Sequence, residues 1–543
     1  MKSKQPSGPK RHRGYVLTPT GAKKLQNRIS ELEDKTGVKY NAAKISEKSQ
    51  LMSISGLHPT TIRKILRGQG ADESSLRLIF QVVNLELEDQ DYTQPGIDNI
   101  VRINATQDWG EAVDVSVFYG RELELESLSE WILEENCRLV VLLGMGGIGK
   151  TALAAKLAEQ IQPSFEYLIW RSLRNAPPVS DILADLIEFL SEEQQIDLAE
   201  TLEGQVSQLI DSLQTHRCLL FLDDVETVMR SEELAGQYRE GYEGYGELIR
   251  RVGEERHQSC MVLISREKPT EISSLAGATL PVRDLKLKGL GQDDAKRILE
   301  TKGFSRVKRG LEELIQLYRG NPLALKIIAT TIQELFDGNI SEFLDQSTLV
   351  IGDILPNLLN EQFERLSSLE KEIIYWLAIE NQPISVSELR ADMEYSVSSL
   401  SKLLAALESL KRRSLLEKEP NTEGKEAIFT IEPVILKYVT NEFIEQVCKD
   451  MATVCKTQSI SQLGLLRSHA LVKEEEQEEV KAIQIRLILT RVIDRLYRTL
   501  KGGNPLEDQL SNVLSMLEDK SPQAIGYARV NLLNLMAKIE GKL

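Results

Sequence analysis

The sequence predicts a multidomain α and α/β protein built around a doubly wound parallel sheet. Two observations carry this: four short apolar runs separated by helical patterns, and a glycine-rich turn joining the first run to a helix. The runs are RLVVLL (138–143), YLIWRSL (167–173), CLLFLDD (218–224) and CMVLISR (260–266). Runs this short and apolar throughout, flanked by amphipathic stretches, have the pattern of strands buried on both faces. Strands alternating with helices form an open parallel sheet that holds its ligand at the carboxyl ends of the strands.

The chain of 543 residues is long enough for several such units. Residues 1–13 are basic and polar and are expected to be a disordered tail. Residues 14–90 carry short amphipathic helices and are expected to form a helix-turn-helix bundle. The stretch 91–112 mixes polar and turn residues and reads as a linker. Residues 113–290 hold the sheet, and 291–358 are helical in pattern, a small helical domain. In 359–445, helices are followed by SLLEKEPNTEGKEAIFTIEP, two apolar segments around a polar turn, so a hairpin and a winged helix are expected. Residues 446–543 are helical, most clearly over 473–500. No internal repeat of about 20–50 residues is present, which excludes a solenoid or propeller within this chain.

The turn is Gly144-Met145-Gly146-Gly147-Ile148-Gly149-Lys150-Thr151, a full G-x-x-x-x-G-K-[ST] between a strand and a helix. Glycines let successive backbone N–H groups point inward as a nest for an anion, and the following helix adds the positive end of its dipole. Lys150 is placed to reach the β- and γ-phosphates, and Thr151 to offer its hydroxyl to Mg²⁺. Gly144, Gly146 and Gly149 also satisfy the shorter dinucleotide pattern. The added Lys-Thr decides for a nucleoside triphosphate, ATP or ADP. Asp223 and Asp224 end the third apolar run. Asp223 is the expected Mg²⁺ partner, and Asp224 the residue that orients an attacking water. Arg266 ends the fourth run, where a fixed cation can read the γ-phosphate.

Five segments occur in order: VFYGRELELESL (117–128), the glycine turn, LLFLDDVE (219–226), MVLISRE (261–267) and GNPLAL (320–325). Together they resemble the NB-ARC type of STAND ATPase, the switch module of plant disease-resistance proteins and apoptotic protease-activating factors. IWRSLRNAP and EKEIIYWLAIENQPISVSEL look most like cyanobacterial members. The resemblance implies that Arg121 lies near the nucleotide, that Pro322 packs on adenine and that Arg266 senses the γ-phosphate. It also implies a switch that is closed with ADP and forms a homo-oligomer with ATP, with slow hydrolysis as the reset. Stress or antiviral defence is a plausible setting by the same likeness. Family members usually carry Met-His-Asp in the winged helix, whose histidine contacts the β-phosphate of ADP. Here the matching place is Ile431-Glu432-Pro433, which puts the ADP lock in doubt. Members usually continue into sensor repeats, whereas this sequence stops at Leu543. The expectation is that 446–543 is the sensor, that another chain supplies it, or that the gene is truncated.

QLMSISGLHPTTIRKILRG (50–68) fits a helix-turn-helix, with Leu51, Ile54, Leu57, Ile62 and Ile65 on the apolar side. Gly56 takes the turn, and Pro59 starts the second helix, where its missing N–H costs nothing. Thr60, Thr61, Arg63, Lys64 and Arg67 remain for an outer face that could meet DNA or a protein partner. The stretch resembles the repressor-like, vWA–MoxR-associated domain that precedes many cyanobacterial modules of this kind. Residues 1–88 carry 16 basic and 8 acidic residues, although the whole chain has a net charge of −16. A basic start on an acidic body fits a separate partner for the N-terminus. Two alternatives to the signalling switch therefore stay open: an ATP-controlled DNA-binding regulator and a DNA-loading or remodelling ATPase. A winged helix binds DNA in other proteins, and Lys411, Arg412 and Arg413 are basic, but the resemblance implies that this element is internal and packs on the nucleotide, so no DNA role is expected of it. Neither a membrane span nor a secretory signal is visible, and five scattered cysteines argue for a reducing, cytoplasmic setting without zinc or disulfides.

Overall fold

The computed structural model describes the chain except residues 1–14, 37–39, 41, 53–55, 67–70, 89–90, 94–106, 192–196, 305–308, 347–353, 396–398, 420–425, 474–476, 501–504 and 543. The chain divides into two units, 1–105 and 106–543. The expected tail at 1–13 lies outside the described residues.

In the first unit, β1 (Val16–Leu17) pairs antiparallel with β2 (Tyr92–Thr93). Four helices follow β1: α1 (Pro19–Thr36), α2 (Ala42–Met52), α3 (Pro59–Leu66) and α4 (Glu73–Val82). Leu25, Ile45, Leu57, Ile62, Ile65, Leu76, Ile79 and Phe80 form the core. The turn between α2 and α3 is held by buried serines. Leu57 N–H donates to Ser49 Oγ at 2.7 Å, and Ser46 Oγ donates to the Leu57 carbonyl at 2.7 Å. Each satisfies a buried backbone group of Leu57.

The second unit opens with a six-stranded sheet. Its strands are β3 (Gln107–Asp108), β4 (Leu139–Leu143), β5 (Tyr167–Ser172), β6 (Cys218–Asp223), β7 (Cys260–Ser265) and β8 (Val282–Lys286), in the order β3-β5-β6-β7-β4-β8 and parallel throughout. The four apolar runs are β4 to β7. Alternate residues face opposite sides, as strand geometry dictates. Val140 and Leu142 pack with α5 (Glu122–Ser129) and α6 (Lys150–Ile161). Leu139 and Val141 pack with α7 (Val179–Leu190), α8 (Leu202–Thr215) and α9 (Gly244–Glu254).

The linker expected over 91–112 is shorter at both ends. Tyr92–Thr93 pair within the first unit, and Gln107–Asp108 form the sheet edge. A two-residue polar strand leaves no apolar pattern to read.

Helices then dominate. The short α10 (Ile272–Leu275) precedes β8. After β8 come α11 (Gln292–Thr301), α12 (Leu311–Leu317), α13 (Pro322–Leu335), α14 (Ile340–Gln346), α15 (Ile354–Glu364) and α16 (Ser368–Glu380). Next are β9 (Ile384–Ser385), α17 (Val386–Asp392), α18 (Leu400–Arg412), β10 (Glu417–Lys418) and β11 (Ile428–Thr430). β10 and β11 form the hairpin the sequence suggests, and β9 adds antiparallel to it. α19 (Pro433–Thr457) and six shorter helices, α20 (Gly464–Ser468), α21 (Glu478–Gln484), α22 (Thr490–Thr499), α23 (Leu506–Ser515), α24 (Pro522–Ile525) and α25 (Ala528–Ile539), complete the described residues. A π-helical turn, Ile485–Leu489, joins α21 to α22. The boundaries expected at 358/359 and 445/446 fall inside α15 and α19. One apolar cluster runs from Ala295 to Leu535, so packing does not break at either position. Among the described residues, no helix is long and apolar enough to cross a membrane.

Candidate functional site

The glycine turn leaves β4 and enters α6. Gly147 and Gly149 have φ of +74° and +97°, the left-handed region that side chains disfavour. A Cβ on Gly147 would also stand 2.7 Å from Leu323 Cβ. The two apolar residues of the turn are anchors: Met145 enters the helical cluster and Ile148 the sheet cluster beside α6. The residue before α6 is Gly149, and no side chain caps the helix among the described residues. Its first N–H groups are left for an anion.

Lys150 lies buried and folds back, donating from Nζ to the carbonyls of Gly144 at 2.9 Å and Met145 at 3.1 Å. Burial pushes its ammonium down to about 8, against the pull of the Glu226 carboxylate. Thr151 Oγ1 donates to Asp223 Oδ1 at 3.4 Å. Asp223 also accepts from Asp224 N–H at 2.9 Å, and burial pushes its carboxyl up to about 7. Thr151 and Asp223 thus present adjacent oxygens, the donor chemistry a hard cation such as Mg²⁺ takes alongside phosphate oxygens and water. Asp224 sits at φ +57° and accepts from Ser172 Oγ at 3.4 Å. Burial, then the Glu226 charge, raises its carboxyl too.

Two arginines border the turn in different ways. Arg121 is buried and donates to the carbonyls of Ile148 at 3.1 Å and Lys288 at 2.6 Å, while pairing with Glu124 at 2.7 Å. Arg266 lies across the turn, its Cζ 3.6 Å from where a Gly146 Cβ would be. Its Nε pairs with Glu226 at 3.1 Å and its Nη1 with Glu361 at 3.3 Å. Pro322 is the first residue of α13, its ring 4.0 Å from where a Gly149 Cβ would be.

Three partners have no role assigned by the sequence pattern. Asn321 donates from Nδ2 to the Gly146 carbonyl at 3.2 Å, and its Oδ1 accepts from Leu323 N–H at 3.2 Å and Ala324 N–H at 3.1 Å. Asn followed by Pro ahead of an apolar helix pattern is an N-cap signal, and it could have found this residue. Glu226 and Glu361 reach the site from positions that no local pattern singles out. Glu432, in the Ile431-Glu432-Pro433 segment, lines a narrow cavity with Met145, Gly146 and Asn321. Burial and then the Glu417 charge raise its carboxyl, while Ile431 joins the core.

A second cleft, of about 250 Å³, is lined by Asp224, Glu226, Arg266, Glu361, Arg365 and Arg413. Along it runs a seam of ions, buried at Glu267, Glu370 and Arg413 and half-buried at Arg365. Glu267 Oε2 meets Arg413 Nη1 at 2.7 Å and Arg365 Nη2 at 3.1 Å, and Arg413 Nε meets Glu370 at 3.2 Å. Two of the three basic residues at 411–413 are engaged within the chain. Arg413 is 4% exposed and committed to two carboxylates, and Arg412 pairs with Glu408 at 3.0 Å.

In the first unit, Lys64 is exposed and Thr61 half-buried on α3. Thr60 and Arg63 stand on the same helix, but their side chains, like Arg67, Leu51 and Ile54, lie outside the described residues.

A strand, a glycine turn, a helix and an acid-ended strand in this arrangement define a P-loop nucleoside triphosphatase fold. Residues 121–307 match the NB-ARC domain family model. The chain is 43% identical over 467 residues to an uncharacterised WD repeat-containing protein of Nostoc sp., covering 79% of this chain and 36% of that protein. It is 24% identical over 342 residues to the disease resistance protein RPP13 of Arabidopsis thaliana, covering 57% of this chain and 38% of that one. It is also similar, at a TM-score of 0.32 and 18% identity, to the crystal structure of a STAND protein with a tetratricopeptide repeat sensor from Pyrococcus horikoshii, covering 76% of this chain and 60% of that one. The matched segment, residues 121–307, identifies an NB-ARC domain within this chain. The chain spans little more than a third of the length of the two curated relatives.

Proposed function

We propose that the chain is a signal-transduction switch that holds ADP in the closed form described here and opens with ATP·Mg²⁺. The opened form homo-oligomerises and clusters the N-terminal units. The observation that carries this reading is convergence at Gly146: Asn321, Glu432 and Arg266 reach it from three separate segments. A bound phosphate chain therefore feels all three at once. Such a device works only if ATP and ADP bind the two shapes differently. Lys150, Thr151 and Asp223 hold phosphate and metal, Asp224 orients water, Arg266 reads the γ-phosphate, and Arg121 and Pro322 border the nucleotide. Hydrolysis, slow in this reading, resets the switch.

The test is the nucleotide released on denaturing fresh protein, with the mass in solution taken from the same sample. ADP on a monomer supports a closed switch, and shows that it survives without the histidine that Ile431-Glu432-Pro433 replaces. ATP on an oligomer means that lock is released. Lys150→Ala is expected to abolish nucleotide binding, and retained ATP affinity would contradict the site assignment.

A second reading rests on α2 and α3, with Leu57 ahead of α3 bonded to Ser46 and Ser49 of α2 and Lys64 exposed on α3. Here the N-terminal unit binds DNA under ATP control. A gel shift that discriminates sequences and weakens with salt supports it. Indifference to sequence returns the N-terminal unit to a protein-adaptor role. Hydrolysis stimulated by DNA would instead favour the loading or remodelling ATPase.

A further inference from the structure

Arg266 is held by two carboxylates of different character. Glu226 is 7% exposed and sits two residues beyond Asp224. Its Oε2 accepts from the Arg266 backbone N–H at 3.0 Å and from Ser265 Oγ at 3.2 Å. Its Oε1 meets Arg266 Nε at 3.1 Å. Three contacts thus fix the end of β7, the arginine backbone and the inner edge of the guanidinium. On the outer edge, Nη1 meets Glu361, whose side chain is 67% exposed, at 3.3 Å. An exposed pair of this kind is weak and exchangeable, whereas a buried, multiply bonded carboxylate is not.

The guanidinium is also laid against Gly146, where no side chain intervenes. Free rotation of an arginine would spread its charge over many positions. With Nε and the backbone held, only the Nη edge is left to meet an anion seated on the turn. Preorganised donors of this kind cost no reorganisation when the ligand arrives.

We propose that Glu226 is the positioning residue for Arg266, and that discrimination between ATP and ADP passes through this carboxylate. The proposal rests on the switch reading above, in which Arg266 reads the γ-phosphate. Glu226 does not touch the nucleotide; it acts through the arginine.

The experiment is a titration of the full chain with Mg·ATP and with ADP, followed by intrinsic fluorescence or calorimetry. It compares wild type, Glu226→Gln, Glu226→Ala, Arg266→Ala and the double Glu226→Ala/Arg266→Ala variant. The readout is the ratio of the two affinities. Loss of one charge-assisted contact predicts a fall of about tenfold in Arg266→Ala, a similar fall in Glu226→Ala and a few-fold fall in Glu226→Gln. Residues acting through one another are non-additive, so the double variant should show no further fall. A merely structural role for Glu226 would weaken both nucleotides equally and leave the ratio unchanged, which overturns the proposal. Additive losses in the double variant overturn it too. An unchanged ratio in Arg266→Ala instead overturns the reading of that arginine, and this proposal with it. Should Glu226→Ala fail to fold, Glu226→Gln keeps the side-chain shape, and an unchanged ratio there counts against the proposal.

Discussion

The phosphate turn and the ion seam behind it are held by different chemistry. The turn is tied through its own carbonyls: Lys150 on Gly144 and Met145, Arg121 on Ile148, Asn321 on Gly146. The seam is tied by carboxylates and guanidiniums: Glu267, Glu370, Arg365 and Arg413. A phosphate, itself an acceptor, can draw the donors Lys150 and Asn321 from their carbonyls without leaving a charge unpaired. The seam cannot lose Arg413 without leaving the Glu370 charge unpaired away from water. The turn is therefore suited to trading partners with ligand, and the seam to opening all at once or staying shut.

The most direct way to break this comparison is Arg413→Ala. It strands Glu370 and half of Glu267, and a loss of about 3–5 kcal/mol is expected in denaturant unfolding. A loss below about 1 kcal/mol would show that the seam is held by apolar packing instead.

Next in size is a pH effect at the turn. The Asp223 carboxyl is held up to about 7, well above its ordinary value. Because its folded value is raised, the stability it contributes is full below about pH 4 and is lost as pH rises through about 7. A metal needs the ionised form, so binding displaces a proton. Mg·ATP affinity should fall about tenfold from pH 8 to pH 6, and Asp223→Asn should flatten that slope while weakening binding throughout. A wild-type affinity independent of pH would mean Asp223 is not the metal partner.

Asn321→Ala removes a helix cap and a tie to Gly146 together. The cap alone is worth about 1 kcal/mol. Thermal unfolding with and without ADP sharpens the comparison: a larger loss in the presence of ADP marks the tie, an equal loss the cap alone. The smallest effect belongs to Glu361→Gln, which should change stability by less than about 1 kcal/mol. It should nonetheless raise ATP affinity relative to ADP by up to a few-fold, because the γ-phosphate no longer competes for Arg266. A fall in that ratio would place Glu361 on the side of ATP.

The two regions also differ in how far the sequence discloses them. β4 to β7 and the turn announce themselves because strand burial and backbone reversal impose local patterns, apolar runs and glycines. The seam joins Glu267 to Arg413 across 146 positions, and no local pattern records such a pair. Glu226 was read only as part of a motif string, since its role depends on where β7 brings Arg266. The helical half misled at its boundaries for a related reason. Amphipathic periodicity runs straight through 445/446, and nothing in it signals whether two packing units share a helix.

That shared helix has a mechanical consequence. α19 begins beside the phosphate turn, with Glu432 as the residue before it, and continues for 25 residues into the C-terminal helices. At 1.5 Å per residue it is a rigid rod of about 37 Å. A tilt of about 10° at its first turn would sweep its far end through about 6 Å, more than a full helical pitch. In the proposed switch the rod would serve as a lever whose short arm lies beside the phosphate turn. A partner docked on the distal helices would then share a single stroke with bound phosphates, in either direction.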